Sequence, residues 1–328
     1  MFTRKRTLSY GKAINEAIHQ VMEKHSNTAL LGQGVQSPWY VGNTCNGLVE
    51  RFGELRVIDT PVSENAMTGV AVGLALAGIR TIILHPRMDF MAYAFDPIVN
   101  QAANWSYMSG GRSGVPVVFW GIINRGGEQA AQHSQALHTM FAHVPGLKVV
   151  MPATPYDAKG LLIAAMLDEN PVVFIDDRCL YDQIGYVPEE LYKVNIGQPI
   201  IRTHGEDVTV VACSSMAVEA TKAFYELEDE GISIEVIDLR TIKPLNIDKV
   251  IESIKKTGRL VIADVGWRSF GISAEIIAQV MEKGLKYLKR PIIRIALPDT
   301  PAPASRSLES VYYRQSRDVC CAVRHLMK

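Results

Sequence analysis

Short runs of apolar, largely β-branched residues recur along this chain, and most of them are continuous rather than alternating. They fall at 28–31, 80–84, 116–120, 148–151 and 172–175, and again at 208–212, 234–238, 260–263 and 292–295. A strand with one wet face alternates; a continuous apolar run suits a parallel strand covered on both faces. Helix-length segments at 10–24, 63–77, 157–167, 217–230 and 273–282 separate the runs. This βαβα rhythm predicts an α/β chain of doubly wound parallel sheets. At 328 residues the chain exceeds what one core usually serves. The sequence turns polar and irregular around GYVPEELYKVNIGQPIIRTHGED, so two domains are expected, at 1–187 and 204–328, joined by a linker at 188–203.

Composition narrows the function. Lys and Arg number 34, as do Asp and Glu, so the formal charge is zero and argues for neither nucleic acid nor an anionic membrane. The five cysteines, Cys45, Cys179, Cys213, Cys320 and Cys321, form no CxxC and no zinc spacing with histidine, and read as free thiols. The opening MFTRKRTLSYGKAINEAI has a basic cluster but no apolar segment behind it. No apolar stretch approaches the ~20 residues of a membrane span. A soluble, cytoplasmic protein is expected.

The chain lacks a GxxxxGK[ST] loop and a clean GxGxxG after its first strand. Its most informative segment is DTPVSENAMTGVAVGLALAG, from Asp59 to Gly78. A strand end leads through Pro61 into a helix of small residues, which places Glu64 at the carboxyl edge of a sheet, where ligands bind in open α/β folds. Taken alone, Glu64 reads either as an acid favoured by a helix first turn or as a carboxylate set to exchange a proton with a bound ring. Gly69, Gly73 and Gly78 would let the helix approach another backbone closely.

That segment resembles the motif around the catalytic glutamate in β subunits of 2-oxo acid dehydrogenase E1 components, members of the transketolase-like family of thiamine-diphosphate enzymes. The resemblance continues through FDPIVNQAANWSYMSGG, AAQHSQALHTMFAHVPGLKVVMPATPYDAKGLL, DENPVVFI, VIDLRTIKPLN and GWRSFGISAEI, and covers nearly the whole chain. It implies a pyrimidine-binding domain followed by a transketolase C-terminal domain. It also implies that Glu64 hydrogen-bonds the aminopyrimidine, so that the 4′-imino nitrogen can take the proton from thiazolium C2. Val62 and Phe90 match positions lining the pyrimidine pocket; without the resemblance both would read as core. His133, in QHSQ, matches a histidine on the substrate side, whereas His138 and His143 read as structural. Several members carry a structural monovalent cation on positions matching Val117, Ala165, Asp168 and Asn170, which implies K+ here; a plain helix end at 168–170 is the other reading. Asp264 and Trp267 follow a strand and receive no catalytic role.

The departures bear on substrate. An acidic pair common after the first strand is replaced by Gly32-Gln33-Gly34-Val35, and the segment before Phe90 reads His85-Pro86-Arg87-Met88-Asp89. The tyrosine of a C-terminal DxPxPYA pattern is missing from Asp299-Thr300-Pro301-Ala302-Pro303-Ala304. His85 and Arg87 are therefore substrate candidates, with Arg87 either meeting a carboxylate or phosphate or pairing internally, for example with Asp89. The family holds the cofactor diphosphate through Mg2+ on a GDG motif with a later Asn; this chain has no such motif. The resemblance thus implies a separate E1 α subunit that holds Mg2+, thiamine diphosphate shared at the interface, an α2β2 heterotetramer, and a lipoyl-bearing E2 or another molecule as acceptor. Half of a split transketolase and a noncatalytic scaffold are the competing readings.

Overall fold

The computed structural model describes residues 6–328; the basic residues Arg4 and Lys5 lie outside them. In chain order the strands are β1 (Thr7–Ser9), β2 (Thr28–Gly32), β3 (Val57–Asp59), β4 (Arg80–His85), β5 (Val117–Ile123), β6 (Lys148–Val150), β7 (Val172–Asp177), β8 (Ile184–Tyr186), β9 (Ile200–Thr203), β10 (Val208–Ala212), β11 (Ile234–Asp238), β12 (Thr241–Lys243), β13 (Leu260–Trp267) and β14 (Ile293–Leu297). They form a seven-stranded sheet ordered β12-β6-β7-β5-β4-β2-β3, a five-stranded sheet ordered β14-β13-β10-β11-β9, and the pair β1-β8. Each large sheet is parallel except for one edge strand: β12 runs antiparallel to β6, and β9 to β11. The continuous apolar runs behave as parallel interior strands do, since every residue of β2, β5, β7, β10 and β11 is buried.

The structure departs from the sequence expectation in several places, among them the unexpected β1-β8 pair. Residues 200–203, expected to finish the linker, are the strand β9; Ile200 and Ile201 give it the β-branched surface a sheet edge accepts. β12 was not expected at all, because three residues are too few to show a period. Asp264 and Trp267 lie within β13, not after it, and the register shifts between Ala263 and Trp267.

β12 comes from beyond the linker yet extends the first sheet, so the chain after the linker is stitched to the domain before it. A buried ionic seam reinforces it. Asp157, at the start of the Pro155–Met166 helix, pairs with Arg202 of β9 and, at 2.7 Å, with Arg240; Arg202 also meets Asp238 at 2.7 Å. Burial drives the Asp238 carboxyl up, while Arg202 pulls against it. Nearby, the fully buried Lys159 places its Nζ 2.7 Å from Glu16 and donates to the carbonyls of Pro188, Glu189 and Glu190. A buried ammonium needs such partners, so the first part of the linker is pinned to the domain it leaves.

Candidate active site

The chain leaves β2 for β3 on one side and then crosses back to β4 on the other. Ligand crevices form outside the carboxyl ends of strands where such a reversal occurs. A cleft of about 310 Å3 opens there, lined by Val62, Glu64, His85, Arg87, Phe90 and His133, together with Gln33, Tyr40, Pro86 and Tyr93. The catalytic and cofactor candidates and both substrate candidates are thus brought together.

Each reaches the cleft for a local reason. Glu64 is the first residue of the Glu64–Leu76 helix, which Ser63 precedes in non-helical backbone without capping it by its side chain. The carboxylate is half-buried and receives no hydrogen bond from the described residues. Val62 is 66% exposed, unusual for valine beside a polar site. Thr68, one turn after Glu64, approaches His85 Nε2 at 3.2 Å. Burial lowers the pKa of His85 to about 3, so it stands neutral in the cleft wall, with Nδ1 unpartnered. His85 thus offers the cleft a ring nitrogen and Arg87 a cation.

Phe90 presents its ring edge-on to His133, with centroids 5.4 Å apart and planes at 87°. His133 stays in place because the next turn of its loop is tied down. Asp89 Oδ1 accepts from the Gln135 amide at 3.1 Å and from Gln135 Nε2 at 2.9 Å. Burial raises the Asp89 carboxyl, and Gln135 opposes that shift. The internal alternative for Arg87, a pair with Asp89, is not formed. Arg87 donates instead to the Pro86 carbonyl at 2.8 Å and to Gln129 Oε1 at 3.4 Å.

The sequence reading missed Tyr40, Asp89 with Gln135, and the neighbouring arginines Arg125 and Arg178. Tyr40 reaches the cleft because Gly34 adopts φ +73°; a Cβ there would stand 2.1 Å from the Tyr40 ring. The Gly32-Gln33-Gly34 run was a visible signal. The Asp89–Gln135 tie joins residues far apart in sequence and left no pattern to find.

His138 is buried with Nε2 3.2 Å from Asp264 Oδ1. Burial pushes the Asp264 carboxyl up, but His138 and the amides of Gly266 and Ser273 outweigh it and hold it low. This pair ties the 132–138 loop to β13, which agrees with a structural reading of both residues. At the expected cation positions, Asp168 Oδ2 is 2.5 Å from Lys148, its Oδ1 accepts the Asn170 amide, and its carbonyl accepts from Arg80 at 3.0 Å. The Ala165 carbonyl accepts the Asp168 amide at 3.2 Å. The carboxylate is therefore engaged, while each of these carbonyls keeps a second lone pair for a monovalent ion. Among the described residues no three His, Cys, Asp or Glu side chains are grouped to hold a metal, and no helix is long and apolar enough to cross a membrane.

The outer face of the Glu64–Leu76 helix is uncovered. A Cβ added at Gly69, Gly73 or Gly78 would meet nothing, and Val70 is 55% exposed. The close approach expected of these glycines is not made within this chain.

Comparison with known proteins agrees with this arrangement. The family described as "Transketolase, pyrimidine binding domain" matches residues 6–183, and "Transketolase, C-terminal domain" matches 197–319. The chain is 41% identical to the acetoin:2,6-dichlorophenolindophenol oxidoreductase subunit beta of Cupriavidus necator, covering 98% of each. It is 40% identical to the pyruvate dehydrogenase E1 component subunit beta of Rhizobium meliloti, covering 98% of this chain and 70% of that one. A solved split-gene transketolase, an inactive β4 tetramer, superposes with a TM-score of 0.78 over 98% of both chains at 22% identity, which speaks for the fold. Two domain families matched one after the other, with relatives at 40–41% identity over 98% of this chain, establish that this chain belongs to the transketolase-like family, among the β subunits of the 2-oxo acid dehydrogenase E1 type.

Proposed function

We propose that this chain is the β subunit of a thiamine-diphosphate-dependent E1-type enzyme that decarboxylates a 2-oxo acid and passes the acyl or aldehyde unit to an acceptor. The observation that carries this reading is Glu64, unpaired at a helix start, in one cleft with Val62, Phe90 and His133. The residues fit the aminopyrimidine end of the cofactor: Glu64 offers a free carboxylate for a ring nitrogen, Phe90 an aromatic face, and Val62 an apolar contact. When bound, the cofactor supplies the nucleophilic carbon and the electron sink. Glu64 holds or releases the proton at the ring nitrogen. His133, stacked edge-on to Phe90 and tied through Gln135 to Asp89, is placed to hold or move a proton on the substrate side. His85, neutral, and Arg87 face the substrate.

A half-buried carboxylate in an open cleft is too wet for this work, since the hydrogen bond gains strength only in a low dielectric. The exposed Val62 and the bare glycine face of the same helix call for a cover. We assign that cover to an E1 α subunit that binds the diphosphate through Mg2+, in an α2β2 heterotetramer in the cytoplasm, with a lipoyl-bearing E2 as one acceptor. A K+ ion on the carbonyls of Val117, Ala165, Asp168 and Asn170 would stiffen the helix end without touching the chemistry.

Calorimetric titration of thiamine diphosphate with Mg2+ tests the reading. The chain co-expressed with a partner carrying GDG and Asn should bind tightly, and neither the chain alone nor the pair without Mg2+ should do so. Absence of binding by the pair would leave a scaffold subunit.

A further inference from the structure

Beside the cofactor-facing cleft lies a second one of about 390 Å3, which shares Tyr40 and Arg87 with it and adds Trp39, Arg125, Gln129 and Arg178. Three guanidinium groups converge there. Arg125 follows β5, and its side chain is 8% exposed. Its Nε holds Asp177 Oδ2 at 2.5 Å and its guanidinium lies 5.7 Å from the centroid of the Tyr313 ring, yet its buried Nη2 has no partner. Arg87 is also incomplete, because its buried Nε is unpartnered. Arg178 makes no ion pair among the described residues.

The surrounding acids do not balance this charge. Asp177 serves Arg125 and also accepts from Ser215 at 3.1 Å. Glu128 pairs with Arg306, and Glu309 Oε2 accepts the Glu128 amide at 3.0 Å. Three arginines thus line the cleft and no carboxylate does; Asp177 acts through Arg125, and Asp89 acts on Arg87 only at longer range, without an ion pair. A buried N–H of a guanidinium left without an acceptor is costly, and guanidinium forks match planar or tetrahedral oxyanions. Trp39, 74% exposed, adds an apolar wall at the mouth.

We propose that this second cleft holds an oxyanion at the far end of the substrate, so that the enzyme acts on a 2-oxo acid whose tail ends in a carboxylate or a phosphate. The proposal rests on the thiamine-diphosphate reading for the reacting end and on Arg87, Arg125 and Arg178 for the tail. Arg87 lines both clefts, so one extended molecule can lie with its oxo group near His133 and its tail among the arginines. An uncharged tail would leave the buried donors unpaired, which is a strong basis for rejection.

The test uses the assembled pair with its partner subunit. Calorimetry with succinate and with inorganic phosphate, on a Glu64→Gln pair that cannot turn over, reads the second cleft directly. One of the two should bind saturably, and Arg178→Gln should weaken it by roughly tenfold or more, with Arg178→Lys between them. Tighter succinate assigns a carboxylate tail; tighter phosphate assigns a phosphorylated one. With Glu64 intact in the pair, kcat/KM for 2-oxoglutarate or the phosphorylated 2-oxo acid should exceed that for pyruvate by about tenfold or more, and Arg178→Gln should collapse that ratio while the Kd for thiamine diphosphate stays fixed. Binding of neither anion, or binding indifferent to Arg178→Gln, overturns the proposal even when the cofactor binds normally. Anion binding that persists in a pair unable to bind the cofactor overturns the thiamine reading and leaves the arginine cleft standing.

Discussion

The seam between the two sheets and the cleft at the start of the Glu64–Leu76 helix are built from similar materials and finished differently. At the seam, Asp157 meets Arg202 and Arg240, Arg202 meets Asp238, and His138 meets Asp264. In the clefts, Glu64 has no partner, Arg87 and Arg125 keep unpaired buried nitrogens, and Val62 and a glycine face stand bare. One region pairs its charges within this chain, although Arg240 Nε and the His138 ring make no hydrogen bond there. The other has the form of half a site, whose remaining surfaces come from a ligand and a second subunit. Unmet donors in a native structure ask for an explanation; those of Arg87 and Arg125 belong to residues that line a space open to a ligand.

The contrast breaks hardest at Glu64. In the assembled enzyme, Glu64→Gln should lower kcat by about 10²–10⁴-fold, the usual worth of a proton-transfer group. Thermal unfolding of the isolated chain should not move, because Glu64 supports nothing within it. A variant that keeps its activity would reduce the cleft to a structural recess. At the seam the outcome should be the reverse. Asp157→Ala leaves Arg240 without its carboxylate in a buried setting and should cost roughly 3–5 kcal/mol, read from urea unfolding. Asp157→Asn, which keeps a hydrogen-bond acceptor, should cost less and provides the measurement if the alanine variant fails to fold. Equal stability for all three would show that the seam contributes nothing.

The two regions also differed in how legible they were. Val62, Glu64 and His133 stand inside long ordered motifs, Phe90 closes a segment that departs from the family pattern, and the cleft gathers all four. The parallel interior strands announced themselves as continuous apolar runs because burial on both faces leaves no room for polar residues. The seam was silent. β12 is too short for a period, and the pairing of Asp157 with Arg202 and Arg240 spans a distance in sequence that no local pattern records. The arginine cleft lies between these cases. Arg87 stood out as a departure from the family pattern, whereas Arg125 and Arg178 looked like ordinary loop and strand-end residues until the parallel pairing of β5 with β7 placed them side by side.

A subtler separation is available on the bare helix face. A Cβ added at Gly73 has nothing within 4 Å, and replacing this exposed helical glycine, as in Gly73→Leu, should stabilise the isolated subunit by up to about 1 kcal/mol. The same side chain should block a close-packed partner, weakening association with the α subunit by about tenfold for each ~1.4 kcal/mol of binding free energy removed, read by co-purification. Gain of stability in isolation together with weaker assembly would mark the face as an interface. Assembly unaffected by Gly73→Leu would move the partner elsewhere.

The smallest effect distinguishes an interior carboxylate from one in the open cleft through pH. Asp176, next to last in β7, accepts from Trp120 Nε1 at 2.9 Å and is pushed up from 3.8 to about 7 by burial, against the pull of Tyr181 and Trp120. The folded state therefore keeps a proton that the unfolded chain has already released. Stability from this group is complete below the unfolded value and declines as pH rises through about 7. Asp176→Asn keeps an acceptor for Trp120 and removes the charge, so its urea midpoint should gain on the wild type as pH rises from acid to mildly alkaline conditions. A constant difference across that range would mean that the buried carboxyl titrates like an exposed one, and that the interior around β7 is as wet as the cleft.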